Sequence, residues 1–413
     1  MVYARLLAVA AALFAATAAH AADPIKIGFG MGLTGGLASN GKAALMTFQM
    51  WADEVNARGG LLGGRKVEFV YYDDQSNPSQ VPGIYTKLLE VDKVDLVVSG
   101  YGTNLAAPAM PIIMQRGLTF IGLFALALNT EFNYPQYFTM FPVGPDPKVD
   151  FTRGFFDLGM TQDPKPQTLA IVAADAEYSQ LAAQGAREHA KRLGLKIVYD
   201  RNYPPSTVDF TPIVRAVQAT TPDIVFVGSY PPDSAGMVRA AHEVGLKTKL
   251  FGGGMAGLQF ASIKTQLGPM LNGVVDYDFY IPEPTLKFPG IEQFIQKYQA
   301  KAEGQGVDPL GFYLPPFAYA EMQILEQAIT ATGGLDHKKL ADHMHNATFN
   351  TVVGDVKFAP NGEFARSHVL QVQFQGIKGN ALDQFKKAGT QVIVWPQDVK
   401  SGELKYPLQD ARN

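Results

Sequence analysis

Over roughly the first 275 residues, short apolar runs rich in Val, Ile and Phe alternate with segments whose apolar positions recur every three or four residues. IKIGFG leads into GKAALMTFQMWADEVNARGG, where Leu45, Phe48, Trp51 and Val55 mark one helical face and Gly59-Gly60 stops it. KVEFVYYDD, DLVVSG and LTFIGLF read as further strands, with helical SQVPGIYTKLLEVDK and LAAPAMPIIMQRG between them. YFTMFPVGPDP, with prolines at 142, 145 and 147, reads as a passage between domains. The beat then resumes: helical FTRGFFDLGM, strand TLAIVAAD, helical YSQLAAQGAREHAKRLG, then LKIVYDRNY, FTPIVRAVQAT, DIVFVGSY, AGMVRAAHEVG and KLFGGG. Strand–helix alternation with short joints requires parallel sheets covered by helices on both faces, and two successive sets predict two α/β domains.

After about Asn272 the beat is lost. GVVDYDFYIP is extended; FPGIEQFIQKYQAKAEG, FAYAEMQILEQAITATGG and DHKKLADHMHNA are amphipathic helices. GDVKFAPNGEFA and VLQVQFQGI read as a hairpin-like pair around Pro360-Asn361-Gly362. Without alternation these pieces make no third domain, so they pack back on the first two. The chain then crosses between lobes more than once, which makes a hinge and a cleft.

Composition narrows the function. The opening MVYARLLAVAAALFAATAAHAADP has an early Arg5, an alanine-rich apolar run and Ala19-His20-Ala21. This is the layout of a cleavable signal peptide over residues 1–21, which implies export to the periplasm. The 413 residues include no cysteine, which excludes disulfides, thiol nucleophiles and Cys-ligated metals. Net charge is −3 with both signs scattered, so no basic patch marks a nucleic-acid partner.

Gly30, Gly32 and Gly35 fit G-x-G-x-x-G. A dinucleotide fold needs the helix to begin at the glycines and an acid about 20 residues on. Here LASNG intervenes, the helical pattern starts near Gly41, and the candidate acids Asp53 and Glu54 fall inside that helix. The glycines therefore belong to a loop with other work, and no cofactor is expected.

In open parallel sheets ligands sit beyond the carboxyl ends of the strands. The loops there are GMGLTGGLASNG, GYGTNLAAPA, LFALALN, AADAEYSQ, GSYPPDSAG and FGGGMAGLQF. They carry the large side chains Tyr101, Phe124, Tyr178, Tyr230 and Met255, the aliphatic Leu105 and Leu126, and the polar Thr34, Asn40, Thr103 and Asn104; their charges are Asp175, Glu177 and Asp233. Apolar walls with a few placed polar groups suit a small-molecule pocket. Backbone N–H groups following Thr103-Asn104 could hold a carboxylate. His337, His343 and His345 suggest a solvated helix face rather than a metal site, since positions two apart diverge on a helix. Asp73-Asp74 face opposite sides of a strand, and one is expected to cap the following turn. No G-x-S-x-G, H-E-x-x-H or Walker sequence is present. A secreted hydrolase would have to use Ser229 and Asp233, with no histidine at another strand end.

Several of these segments resemble the periplasmic solute-binding proteins of ABC transporters, specifically the branched-chain amino-acid (Leu/Ile/Val) binding family. They are IKIGFGMGLTGGLASNGKAA, DEVNARGGLLGGRKVEFVYYDD, VDLVVSGYGTNLAAPAMPI, LAIVAADAEYSQLAAQGAREHAKRLG and PDIVFVGSYPPDSAGMVRAAHEVGL. The resemblance implies a two-lobed type I periplasmic binding protein fold, each lobe a parallel sheet flanked by helices, with a three-stranded hinge. Lobe 1 would be 23–143 plus 276–352, and lobe 2 would be 144–275 plus 353–413. It implies ligand contacts at Asn40, at Tyr101 and Thr103 to Leu105, at Phe124, Ala125 and Leu126, and at Tyr178 and Tyr230. The family's ammonium-pairing acid falls at Gly254, beside Met255, so an amino acid loses its strongest anchor here; Asp175, Glu177 and Glu283 do not match that place. The expected ligand is a benzoate-like monocarboxylate, with the carboxylate on the amides near Thr103–Leu105 and on Asn40. Alternatives are a branched-chain amino acid, a small amide, or service as a ligand-sensing receptor component. The implied partner is a permease in the inner membrane, and a monomer is expected.

Overall fold

The computed structural model describes residues 23–412, so the expected signal peptide lies outside the described residues. Strands β1 (Ile25–Met31), β2 (Val67–Asp73) and β3 (Leu96–Val97) form a parallel sheet in the order β2-β1-β3. Strands β4 (Phe120–Gly122) and β5 (Tyr137–Thr139) form a parallel pair. Ser99 N donates to Ile121 O at 2.9 Å, Gly102 N donates to Leu123 O at 3.0 Å, and Leu123 N donates to Ser99 Oγ at 2.8 Å. These bonds carry the sheet across from β3 to β4.

The second sheet takes β6 (Thr168–Ala174), β7 (Lys196–Tyr203), β8 (Ile224–Ser229), β9 (Leu250–Met255) and β10 (Val275–Asp278). A small ribbon, β11 (Phe349–Thr351) with β12 (Gly354–Val356), precedes β13 (Leu370–Phe374) and β14 (Gln391–Trp395). The order is β14-β13-β10-β9-β8-β6-β7, parallel from β7 to β10 and antiparallel beyond. Every residue of β8, IVFVGS, is buried, which is why it reads as an unbroken apolar run.

The late helices cover the first sheet. Trp51 Nε1 and Arg58 Nη2 donate to the two carboxylate oxygens of Glu326 at 2.9 and 2.7 Å, and Tyr319 donates to Glu54 at 2.5 Å. These bonds tie the helix Pro315–Thr332 to the helix Ala38–Ala57. The expected solvated histidine face is corrected: Thr119 N donates to His337 Nδ1 at 3.0 Å, and the His345 ring lies 4.7 Å from that of Phe138. Amphipathic spacing marks a face but not which neighbour will cover it.

The tail also departs from expectation. Pro360-Asn361-Gly362 does turn the chain, with Phe358 bridged to Phe364, but β13 pairs with β10 and β14 rather than with the earlier arm. Thr139 N donates to Gly362 O at 3.0 Å, and Asn129 Nδ2 donates to Asn361 O at 2.8 Å, which hold the turn against β5. Sheet pairing thus puts residues 276–278 in the second sheet and sets the 358–364 turn against the first. Three crossings follow: residues 140–146, the stretch after Asp278, and residues 366–369. His368 N donates to Pro142 O at 2.9 Å, and the rings of Phe141 and Phe279 are 5.2 Å apart, so all three crossings are packed together.

Candidate functional site

The glycine-rich loop is occupied with holding itself. Asp73 accepts from Leu33 N at 2.9 Å, Thr34 N at 3.2 Å and Thr34 Oγ1 at 2.7 Å. Leu37 N donates to Ser76 Oγ at 3.0 Å. The loop amides that would cradle a phosphate are thereby spent on side chains of the next strand end. Asp73 is the acid that braces the loop, while Asp74 accepts from Ser76 N at 2.8 Å and so caps the QSNPSQ turn. Gly35 sits at φ +80°, and the helix opens at Ala38 rather than near Gly41. At Gly41 a Cβ would lie 2.0 Å from Gly32 O, so this glycine lets the helix rest on the loop.

Between the sheets lies a narrow chamber. Tyr101, Thr103 and Phe124 come from the first lobe, Tyr178, Tyr230 and Ala256 from the second, and Phe141, Tyr277 and Tyr313 from the crossings or beside them. About 10 Å³ of it is reachable by the centre of a water, room for one molecule. Phe124 is the hub, with Phe141, Phe279, Tyr313 and Phe317 centroids at 4.9, 5.4, 4.9 and 5.6 Å. It holds φ +53°, an uncommon conformation for a bulky residue.

Polar groups are few. Tyr277 and Tyr313 hydroxyls are 2.9 Å apart, and Tyr178 OH donates to Gly254 O at 3.2 Å. Burial pushes the phenols of Tyr178, Tyr277 and Tyr313 well above their usual range, so they remain neutral hydroxyls. Asn40 is 1% exposed, neighbours the Tyr101 hydroxyl, and its Nδ2 has no partner. Among the described residues the amides of Thr103 and Asn104 have no acceptor, whereas Leu126 N donates to Thr103 Oγ1 at 2.9 Å. One carboxyl lies close by. Asp276 accepts from Met255 N at 3.0 Å and Gln259 Nε2 at 3.2 Å, and burial raises its pKa well above normal.

The structure brings Tyr101, Thr103, Phe124, Tyr178 and Tyr230 together at the chamber wall and Asn40 beside it. Asn104 lies outside, lining a vestibule of about 410 Å³. Leu105, Ala125, Leu126 and Met255 are buried neighbours outside the chamber lining. A Cβ on Gly254 would meet Phe226 Cζ and Val227 O at 3.0 Å, on the side away from the chamber, so only its carbonyl takes part. Tyr178 and Tyr230 are 5.5 Å apart at 56°, too close to hold a ring between them without parting. Ser229 Oγ is 2.7 Å from Ser234 Oγ, and Asp233 accepts from Tyr203 OH at 3.3 Å, so those two residues do not address one another.

Sequence reasoning missed Phe141, Tyr277, Tyr313 and Asp276. The strand-end rule, applied also to the extended stretch GVVDYDFYIP, would have reached Tyr277. Tyr313 precedes a helix that packs on the first lobe, and no local pattern marks it.

Residues 24–380 match the family described as Periplasmic binding protein. Among curated proteins, the chain is 24% identical over 394 residues to the Leu/Ile/Val-binding protein homolog 8 of Brucella abortus, covering 92% of this chain and 93% of that one. Among solved structures, a solute-binding protein of an R. palustris ABC transporter in complex with benzoate superposes with a TM-score of 0.74 at 19% identity, covering 90% of this chain and 95% of that one. The branched-chain amino acid substrate-binding protein LivJ of Streptococcus pneumoniae, in complex with isoleucine, gives 0.69 at 19% identity, with 86% and 97% covered. At these identities the structures establish the two-lobed fold alone.

Proposed function

This chain belongs to the periplasmic binding protein family, the solute-binding components of ABC transporters, and on that premise we propose that it captures a small aromatic monocarboxylate of the benzoate type and presents it to an inner-membrane permease. The observation that carries this reading is the chamber lining. It is aromatic on nearly every side, free of Lys, Arg, Asp and Glu, and lined by Thr103 with Asn40 beside it, whose amide N–H and Nδ2 respectively have no partner among the described residues. A carboxylate would take the Thr103 and Asn104 N–H groups with Asn40, and the ring would lie among Tyr101, Phe124, Tyr178 and Tyr230. Leu105, Ala125, Leu126, Gly254 and Met255 would form the supporting layer. We place the lobes at 23–143 plus 276–352 and at 144–275 plus 353–413, adjusted at β10 and the 358–364 turn to follow the sheets.

An amino acid fits less well. Its ammonium needs an ionised partner, and Asp276, the buried carboxyl at hand, has both oxygens engaged by N–H donors, while burial raises its pKa well above normal and so opposes its ionisation. The benzoate-bound neighbour from R. palustris lends support to the aromatic class, and the isoleucine-bound LivJ keeps the amino-acid reading as the comparison arm.

Function is conformational: the ligand touches both lobes and so favours the closed form. Binding at micromolar affinity would supply about 8 kcal/mol, part of which offsets closure. Titration calorimetry of the exported chain with benzoate and with leucine tests it. Heat from benzoate and none from leucine is expected; tight leucine binding without a benzoate response would overturn the assignment.

A further inference from the structure

Asn104 makes contacts that a simple ligand-binding residue does not need. Its Oδ1 accepts from Tyr230 OH at 2.8 Å and from the Tyr178 backbone N–H at 3.3 Å. A backbone N–H can only donate, so the amide atom facing it must be the oxygen, and the orientation of the side chain is fixed. Asn104 follows β3 of the first sheet; Tyr178 and Tyr230 follow β6 and β8 of the second. Both hydrogen bonds therefore span the cleft.

Their position gives them a consequence. Outside lies the vestibule of about 410 Å³, where Leu37, Ser76 and Pro78 face Ala176, Pro205 and Pro232. Inside lies the aromatic chamber, with room for one water. Tyr230 lines both spaces, and the Tyr178–Tyr230 contact closes the wall between them. Bound to Asn104, Tyr230 stands between the vestibule and the chamber.

We propose that Asn104 and Tyr230 form a latch that holds the lobes shut across the cleft, so that solute entry and release both wait for it to open. The inference rests on the chamber being the solute site. Wherever the latch closes before a solute enters, it lowers the fraction of protein ready to accept one, and once a solute is inside it slows escape.

Three variants of the full exported chain separate this from a plain contact role. Asn104→Leu keeps the size and removes the acceptor. Tyr230→Phe keeps the ring and removes one donor. Asn104→Asp keeps the acceptor and adds a charge beside the proposed carboxylate. Solution X-ray scattering without any solute reads the latch directly. Asn104→Leu and Tyr230→Phe should increase the radius of gyration over the unmodified protein, while Asn104→Asp should remain as compact. In stopped-flow with benzoate, Asn104→Leu should release it about tenfold faster, as expected for losing one to two hydrogen bonds. Asn104→Asp should weaken benzoate at least about tenfold through like-charge repulsion. Scattering curves of Asn104→Leu and Tyr230→Phe that superpose on the unmodified protein would overturn the latch. Circular dichroism identifies a misfolded variant, in which case Tyr230→Phe, the smaller change, decides. If benzoate never binds but the two variants still expand, the solute class is wrong and the latch stands.

Discussion

The two lobes share one architecture but contribute different chemistry to the cleft. The first sheet is built of short strands stitched by side chains: Asp73 and Ser76 brace the glycine loop, Ser99 bridges β3 to β4, and Thr103 holds Leu126 N. It delivers backbone amides and Asn40. The second sheet is a continuous seven-stranded layer that delivers the phenols of Tyr178 and Tyr230. Parallel ladders already satisfy the second lobe's backbone, so its loops can give side-chain area. The first lobe satisfies its loops with side chains and leaves main-chain donors free where the Thr103 turn begins. Both lobes thus give aromatic wall, Tyr101 and Phe124 from the first and Tyr178 and Tyr230 from the second, while Thr103 and Asn40 belong to the first alone.

The comparison breaks most sharply at Phe124, the first-lobe residue around which the aromatics of the crossings gather. Phe124→Ala should cost about 3–5 kcal/mol in urea unfolding, the range for emptying an aromatic core site. A loss below about 1 kcal/mol would mean that the crossings are held by something else.

The lobes are next compared by pH through one buried carboxyl from each, Asp74 in the first and Asp233 in the second. Burial, only partly offset by the Ser76 amide, pushes Asp74 up to about 6, and burial does the same to Asp233. An aspartate in the unfolded chain titrates near 3.9, so between about pH 4 and 6 the folded protein binds more protons than the unfolded one. Stability from these groups is therefore full below about pH 4 and is lost as pH rises through about 6. Asp74→Asn should flatten that decline by about 1–2 kcal/mol, allowing for partial solvent screening. Thermal melts at pH 4 and pH 8 check this, and an unchanged difference between the two would count against a buried, unionised Asp74.

The smallest effect sharpens the polar side. Asn40→Ala removes a buried amide whose Nδ2 has no partner, so it should leave stability within about 1 kcal/mol while weakening benzoate by about 1 kcal/mol or more. A large drop in melting temperature with unchanged affinity would make Asn40 a structural residue of the loop.

Much of this was legible locally. The alternation of IKIGFG, KVEFVYYDD and DIVFVGSY with helical segments specified parallel sheets, and DIVFVGSY reads as an unbroken apolar run because β8 is buried on both faces. The strand-end rule then picked out Tyr101, Phe124, Tyr178 and Tyr230. It failed where contacts join distant segments. Nothing around Tyr313 tells that its hydroxyl meets Tyr277, 36 residues earlier. Nor does VLQVQFQGI reveal that it will pair with β10 instead of its neighbour, since an antiparallel strand serves any edge of matching register.

The sequence by itself determined the α/β class, the order of strands and helices, and the loops that could meet a solute, because hydrophobic periodicity and turn chemistry act over a few residues. Only the tertiary structure decided that Phe141, Tyr277 and Tyr313 meet at the chamber, that both oxygens of Asp276 are engaged, and that Asn104 reaches across to Tyr230. Those outcomes depend on burial and on distances between residues far apart in the chain, 17 positions for Gln259 and Asp276 and 126 for Asn104 and Tyr230, which no local pattern encodes.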